Sequence, residues 1–385
     1  MNKECSRELQ GLLEEEIKEG KLPGAAIAIY EKGEEKYCGC FGERDREEGL
    51  PLERDTILRI YSMTKPVTAV AYKILEERGL IGQADLVSQF LPEFANCKVI
   101  KDGLLAPMER EIRIGDLLTM TSGLVYPDLD EAGKCMQDIF DEISQKIGEG
   151  VGFTTREVVR KIASAPLAFQ PGERWRYGLS TDVLGGIIEV VSGKSLRDFY
   201  RQEILDPLGM TDTDFYVPYE KQERLGQLYK RSQGGLVIDE NRHLGLSLGL
   251  TPPAFESAGA GLFSTLDDYS KFVRMLAGKG SFQGTRILSE QSVLEFQKNG
   301  LSERQLKTVD FDQLAGFGYG HFMRCRMDSS RIPGKGVIGE FGWDGWTGPY
   351  FNIVVEEDSA ILFMVQISEF NRYDLIWKLH NIIYK

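Results

Sequence analysis

A serine and a lysine three residues apart, Ser62-Met63-Thr64-Lys65, open a run in which apolar Val67, Val70, Ala71 and Ile74 recur at helical spacing. On a helix these two positions stand one above the other on the same face, which puts the Lys65 ammonium about a turn from the Ser62 hydroxyl. Such a pair can make a serine nucleophilic without a histidine. The amine governs the hydroxyl proton, while the unpaired N–H groups and positive dipole end of the helix favour a developing oxyanion. The bare pattern has only two fixed positions, and a serine at a helix start also reads as an ordinary N-cap. Arg78 and Gly79 close the run and Pro66 falls in its first turn, where proline is tolerated, so Ser62 is expected to open a buried helix. A second group of residues follows the turn Pro171-Gly172. Trp175-Arg176-Tyr177 precedes Ser180-Thr181-Asp182, which reads as the cap of a helix bearing Val183, Leu184, Ile187, Ile188 and Val191 and ending at Gly193. Tyr177 then sits on a short fixed loop, either as a packed aromatic with a satisfied hydroxyl or, beside Ser62 and Lys65, as a proton carrier.

The two chain ends supply the elements that would position these groups. Leu9, Leu12, Leu13 and Ile17 form a helical stripe that stops at Gly20, and residues 24–30 and 35–41 read as a hairpin turning at Lys32-Gly33. Near the other end, residues 350–355 and 360–367 read as a second hairpin turning at 356–358. A helix follows with Leu375, Ile376, Leu379, Ile382 and Ile383 on one face. Helix and hairpin, then hairpin and helix, imply an antiparallel sheet covered by both terminal helices. The middle of the chain is mostly helical. Residues 125–155 are acidic with few strong core positions, and they read either as a plain solvated helix or as a flap over a site.

Several segments together resemble the serine β-lactamase-related superfamily, most closely its class C-like branch, the family VIII carboxylesterases. They are Ile60–Pro66 around Ser62 and Lys65, Leu117–Leu124, Phe169–Tyr177, Asp182–Gly193, Gly259–Thr265 and Gly339–Gly345, in the expected order over nearly the whole chain. The resemblance implies an α+β fold of the β-lactamase/penicillin-binding-protein type. Residues 1–385 would form one catalytic unit, with an α/β subdomain from 1–60 and 300–385, a mainly helical subdomain from 61–299, and the active site between them. It also implies roles. Ser62 would be the acylated nucleophile, with Lys65 lowering its proton affinity. Tyr177, held as phenolate or near it by Lys65, would be the general base that later relays the proton to the leaving group. The oxyanion hole would be the N–H groups of Ser62 and Trp346, with Gly345 allowing close approach.

The chain departs from the family at several places. Where β-lactamases and peptidases carry Lys-x-Gly on the cleft strand, it reads Trp343-Asp344-Gly345. Asp344 is expected to repel a substrate carboxylate, and Trp343 and Trp346 to offer apolar walls, so a neutral ester suits the site better than an anionic lactam. Tyr177-Gly178-Leu179 has leucine in place of the asparagine of Tyr-x-Asn, and Met120 stands where many relatives have histidine. The expected activity is therefore carboxylesterase hydrolysis of a small-molecule ester or amide. A β-lactamase, a D-amino-acid peptidase, acyl transfer to an alcohol and a non-catalytic ligand-binding relative are the alternatives.

Global properties narrow the field further. A formal charge of −13 and a pI near 5 argue against nucleic acid or an anionic membrane as partner. The charged N-terminus has no apolar h-region, which points to the cytoplasm. Six scattered cysteines read as free thiols, although Cys38 and Cys40 share a strand face on which two thiols could chelate a metal. Three separated histidines, at 243, 321 and 380, give no metal-binding pairing, and nothing calls for a cofactor. Gly245-Leu246-Ser247-Leu248-Gly249 matches a nucleophile elbow, but Thr251-Pro252-Pro253 blocks the helix that an elbow requires.

Overall fold

The computed structural model describes residues 2–240, 243–246 and 248–385. Helix α1 (Lys3–Lys18) buries Leu9 and Leu13, with Leu12 and Ile17 packed beside them, and the chain leaves it through Gly20 at φ +70°. Strands β1 (Gly24–Glu31) and β2 (Glu34–Asp45) form the expected hairpin. Its turn residues Lys32 and Gly33 are both left-handed, the conformation that matches the twist of the flanking strands. After the short β3 (Leu50–Pro51), the sheet resumes with β4 (Phe317–Gly320), β5 (Met323–Arg326), β6 (Phe341–Asp344), β7 (Tyr350–Val354) and β8 (Ser359–Val365). These eight strands make one antiparallel sheet in the order β4-β5-β6-β7-β8-β1-β2-β3.

β8 pairs with β1, Ala28 opposite Leu362, so the two ends of the chain meet inside the sheet. Both faces there are covered, which explains the unbroken apolar run of β1. Ala25, Ile27 and Ile29 pack with Ile361, Phe363 and Val365 under α1 and the C-terminal helix Tyr373–Ile383. Ala26, Ala28 and Tyr30 point the other way into the main core, as a period of two requires. Against that core lies helix α2 (Thr64–Glu77), buried from Thr64 to Leu75. Helix α3 (Glu131–Gly148) corrects the reading of 125–155 as poor in core positions. Ala132, Met136, Phe140 and Ile143 form a buried stripe along it. Helix α4 (Ser180–Ser192) packs against α2 and is buried through Ile188.

All six cysteines are free, and the Cys38 and Cys40 thiols are neighbours on β2. Among the described residues no group of histidine, cysteine and carboxylate side chains could hold a metal ion. Among the described residues no helix is long and apolar enough to cross a membrane.

One turn is costly. His321 and Phe322 connect β4 and β5 with φ of +49° and +63°, where glycine or asparagine is usual. The turn is driven into the interior, with His321 edge-on to Phe296 and near Tyr72, and neither ring nitrogen of His321 has a partner among the described residues. Burial, with Lys73 and Lys298 nearby, pulls His321 down to about 3. The unfolded chain therefore binds a proton near pH 6.5 that the fold refuses, and this contribution to stability is lost as pH falls from 6.5 towards 3. His321→Phe is expected to flatten the loss between pH 6.5 and 5 by roughly 1.5 kcal/mol. Urea unfolding at the two pH values measures it, and an unchanged slope would contradict the burial of a neutral ring.

Candidate active site

Ser62 lies in a 3-10 turn, Tyr61–Met63, that runs directly into α2. It is not a cap: no side chain caps either the turn or the helix, and the Ser62 hydroxyl faces Lys65. Tyr61 precedes it at φ +41°, a left-handed conformation that costs on the order of 1–3 kcal/mol in a residue with a ring to place. Lys65 is fully buried. Its Nζ stands 3.1 Å from Ser62 Oγ, 3.1 Å from the Tyr126 hydroxyl and 2.8 Å from the Gly259 carbonyl oxygen. Burial pulls its proton affinity down to about 7, against the opposing pull of Asp182 and Asp344. Three partners suit both protonation states. An ammonium donates to all three, whereas a neutral amine donates to Gly259 and Tyr126 and accepts the Ser62 hydroxyl proton.

Tyr177 reaches the same place through a backbone clamp. Gly172 N–H donates to the Thr121 carbonyl (2.7 Å) and Arg176 N–H to that of Met120 (2.9 Å), so the turn at 120–123 holds the 171–177 loop. A Cβ on Gly178 would sit 2.1 Å from the Leu124 carbonyl oxygen, which makes glycine obligatory after Tyr177. Met120 and Leu179 are buried packing residues in this clamp. The Tyr177 hydroxyl accepts the Trp343 indole N–H at 3.1 Å. Burial drives its pKa well up, opposed by the Ser62 hydroxyl and that indole. The expectation that Lys65 holds Tyr177 near phenolate is therefore corrected for the resting site. Lys65 Nζ lies over the Tyr177 ring, 4.7 Å from its centre, while its hydrogen bonds go to other groups.

Strand β6 and the residue that follows it bring Trp343, Asp344 and Gly345 to the cavity wall. Gly345 allows a close approach, but to the chain rather than to a substrate: a Cβ there would lie 2.4 Å from the Ile60 carbonyl oxygen. Asp344 also differs from expectation. Arg324 on β5 donates to one carboxylate oxygen and the Tyr373 hydroxyl donates to the other at 2.7 Å. A charge held in an ion pair repels an incoming carboxylate far less than a free one. Trp346 stacks face to face on His243, ring centres 4.2 Å apart, with Tyr61 edge-on to it at 5.1 Å.

Ser62, Tyr126, Tyr177, Trp343, Asp344, Gly345 and Trp346 all line one cavity of about 620 Å³, and α3 roofs it with Gln137, Phe140, Asp141 and Ser144. The sequence reading missed three supports beneath it. Tyr126 bonds Lys65; Gly259 offers Lys65 its carbonyl; and Asp182, fully buried, accepts from the Ser257 hydroxyl (2.7 Å) and the Gly259 N–H (3.2 Å). Asp182 is thus no helix cap. A signal was present, since apolar residues surround α4 and a carboxylate in an all-buried helix must find donors. Ser247 of the elbow pattern lies outside the described residues. The described chain around it holds a 3-10 turn at His243–Gly245, with no strand directly before it and no helix directly after.

A family profile described as Beta-lactamase matches residues 9–381. Protein Rv1367c of Mycobacterium tuberculosis (strain ATCC 25618 / H37Rv) is 33% identical over 368 residues, 93% of this chain and 89% of that protein. Esterase EstB of Burkholderia gladioli is 31% identical over 290 residues, 71% of this chain and 70% of that protein. The solved structure of EstCE1, described as a hydrolase with promiscuous acyltransferase activity, superposes with a TM-score of 0.82 at 23% identity. It covers 99% of this chain and 98% of its own. The chain belongs to the Beta-lactamase family and is a serine hydrolase.

Two substitutions test the supports. A methyl group at position 259 would fall 2.7 Å from Asp182 Oδ2 and 3.5 Å from Lys65 Nζ. Gly259→Ala is expected to lower kcat/KM by about a hundredfold, the usual effect of a misplacement near 1 Å, with the fold retained by circular dichroism. Asp344→Asn leaves the Arg324 guanidinium, 2% exposed, without its ionised partner. It is expected to destabilise the protein by about 3–5 kcal/mol in denaturant unfolding.

Proposed function

We propose that this member of the Beta-lactamase family cleaves small carboxylic esters through an acyl-enzyme on Ser62, in the manner of the family VIII carboxylesterases. The observation that carries the reading is the Lys65 amine, fully buried, brought to about 7 and set 3.1 Å from Ser62 Oγ in the floor of an aromatic cavity. A neutral Lys65 takes the Ser62 proton as Oγ attacks the ester carbonyl, and the backbone N–H groups of Ser62 and Trp346 receive the oxyanion. Collapse expels the alkoxide, which takes its proton from the neutral Tyr177 phenol. The acyl-enzyme then holds a Lys65 ammonium beside a Tyr177 phenolate, a charge pair that exists only in this intermediate. Water attacks next and gives its proton to that phenolate. Ser62 Oγ leaves with the proton from Lys65, and both groups return to their resting states.

In this reading residues 1–385 act as one unit. The α/β part, 1–60 and 300–385, supplies Trp343 to Trp346, and the helical part, 61–299, supplies Ser62, Lys65 and Tyr177. An ester fits better than a β-lactam because the cleft strand lacks the lysine that grips the lactam carboxylate, and EstB, a relative over 71% of the chain, is an esterase. Acyl transfer to an alcohol is the second reading, favoured by the α3 roof over aromatic walls, which weakens the advantage of water as acceptor.

Hydrolysis of p-nitrophenyl butyrate with a chromogenic cephalosporin in parallel tests the proposal. Ser62→Ala is expected to remove ester turnover, and Tyr177→Phe to lower it by roughly two to four orders of magnitude. Because Lys65 must be neutral to accept the proton, kcat/KM rises with pH through about 7. A profile flat between pH 6 and 8 would rule out Lys65 as the base. Faster cleavage of the cephalosporin would reverse the ranking of substrates.

A further inference from the structure

The cavity walls and the charges around them specify more than an ester. Tyr61, Phe311, Trp343, Trp346, Phe370 and Tyr373 line it with rings, and of the three acidic residues that line it Asp344 is already paired with Arg324, which leaves the carboxylates of Asp141 and Glu369. No lysine or arginine is among the described residues that line it. The cations nearest along the chain are already paired: Arg324 with Asp344 of the cavity wall, Arg372 with Glu16 and Asp374, and Arg176 with Asp128 and Asp130. His243 is held neutral, since burial lowers it to about 4. Lys65 lies beneath the floor with its three hydrogen-bond partners. At the rim, the exposed Glu369 carboxylate has no hydrogen bond or ion pair among the described residues. Among the described residues Asp141 accepts only from Gln137.

Ring faces carry partial negative charge, and rings combined with carboxylates in a walled cleft bind an alkylammonium group while giving a carboxylate nothing to hold. The net charge of −13 adds attraction at long range. We propose that the site selects esters bearing an alkylammonium group, choline-like in size, with the cation held at the aromatic and acidic mouth and the scissile carbonyl over Ser62. This rests on the esterase reading.

The test compares S-butyrylthiocholine with its uncharged isostere S-(3,3-dimethylbutyl) thiobutyrate. The kcat/KM ratio is divided by the ratio of their hydroxide-catalysed rates, which removes the effect of the ammonium on the leaving group. The expected normalised ratio at low ionic strength is about fivefold or more in favour of the cation, falling as salt is added. Glu369→Gln combined with Asp141→Asn is expected to lower it at least about threefold, the scale of two partly screened carboxylates. A normalised ratio below about twofold, or one that the double substitution leaves unchanged, overturns the proposal. Tetramethylammonium binding to Ser62→Ala, read by tryptophan fluorescence, separates the two readings. Saturable binding without Ser62-dependent turnover of the neutral thioester supports the ammonium site and sinks the esterase. Turnover of the neutral thioester without tetramethylammonium binding does the reverse.

Discussion

An amine taken wholly out of water must have every hydrogen-bonding position matched, and the arrangement around Lys65 follows from that requirement. Its partners come from three separate stretches: the turn that carries Ser62, the Tyr126 segment beyond the 120–123 turn, and the 257–261 loop. Each of them is fixed in turn. Asp182 holds the Gly259 backbone through its N–H and Ser257, and the hydroxyls of Ser122 and Ser180 join the 120–123 turn to the start of α4 at 2.8 Å. The glycines at 178 and 259 are what remains when backbone and side chain must pass within a methyl radius of each other. Buried polar groups of this kind contribute little net stability even when fully matched, but an unmatched one is expensive, so the network specifies a single geometry.

The fold was legible because its periodicities are local. The stripe Leu9, Leu13 marks α1, the unbroken apolar runs of β1 and β8 mark the central pair, and Lys32-Gly33 marks a turn, each within a window of a dozen residues. Ser62-x-x-Lys65 was legible for the same reason, since a single helical turn carries it. What stayed hidden depended on partners distant in the chain. Asp344 reads as a free charge until the β5–β6 register sets Arg324 against it. Asp182 reads as a cap until Ser257 and Gly259 arrive from 75 and 77 residues away. Tyr177 reads as a phenol beside a lysine, and only the full set of Lys65 hydrogen bonds reveals that the resting ammonium or amine is directed elsewhere.

Burial acts on Lys65 and Tyr177 in opposite senses, and the chemistry proposed for them depends on that difference. Desolvation disfavours the charged form of each, lowering the amine and raising the phenol, so both favour neutrality at rest. A neutral amine is a base and a neutral phenol is an acid, the two functions that acylation requires in succession. In the proposed sequence two opposite charges then face each other between buried groups, where their attraction is greatest. The pair thus needs no group with an unusual intrinsic pKa. It needs only a dry site and the order of events.

The floor and the roof of the cavity are built with different rigidity, which bears on how selectivity can change without loss of the chemistry. At the floor, β6 meets the segment before Ser62 so closely that Gly345 has no room for a Cβ against the Ile60 carbonyl, and the Thr347 hydroxyl donates to the Arg59 carbonyl at 2.9 Å. Sheet and helical core are locked together there. The roof is looser. Helix α3 bears on the turn His243–Gly245 through Phe140 and Ile143, and it presents Gln137, Asp141 and Ser144 to the cavity without a hydrogen bond from any of the three to the floor among the described residues. None of the hydrogen bonds of Lys65 goes to α3, the 243–246 turn or the rim at Glu369, so on the proposed function substitutions there are expected to alter what the cavity admits without disturbing the Lys65 network.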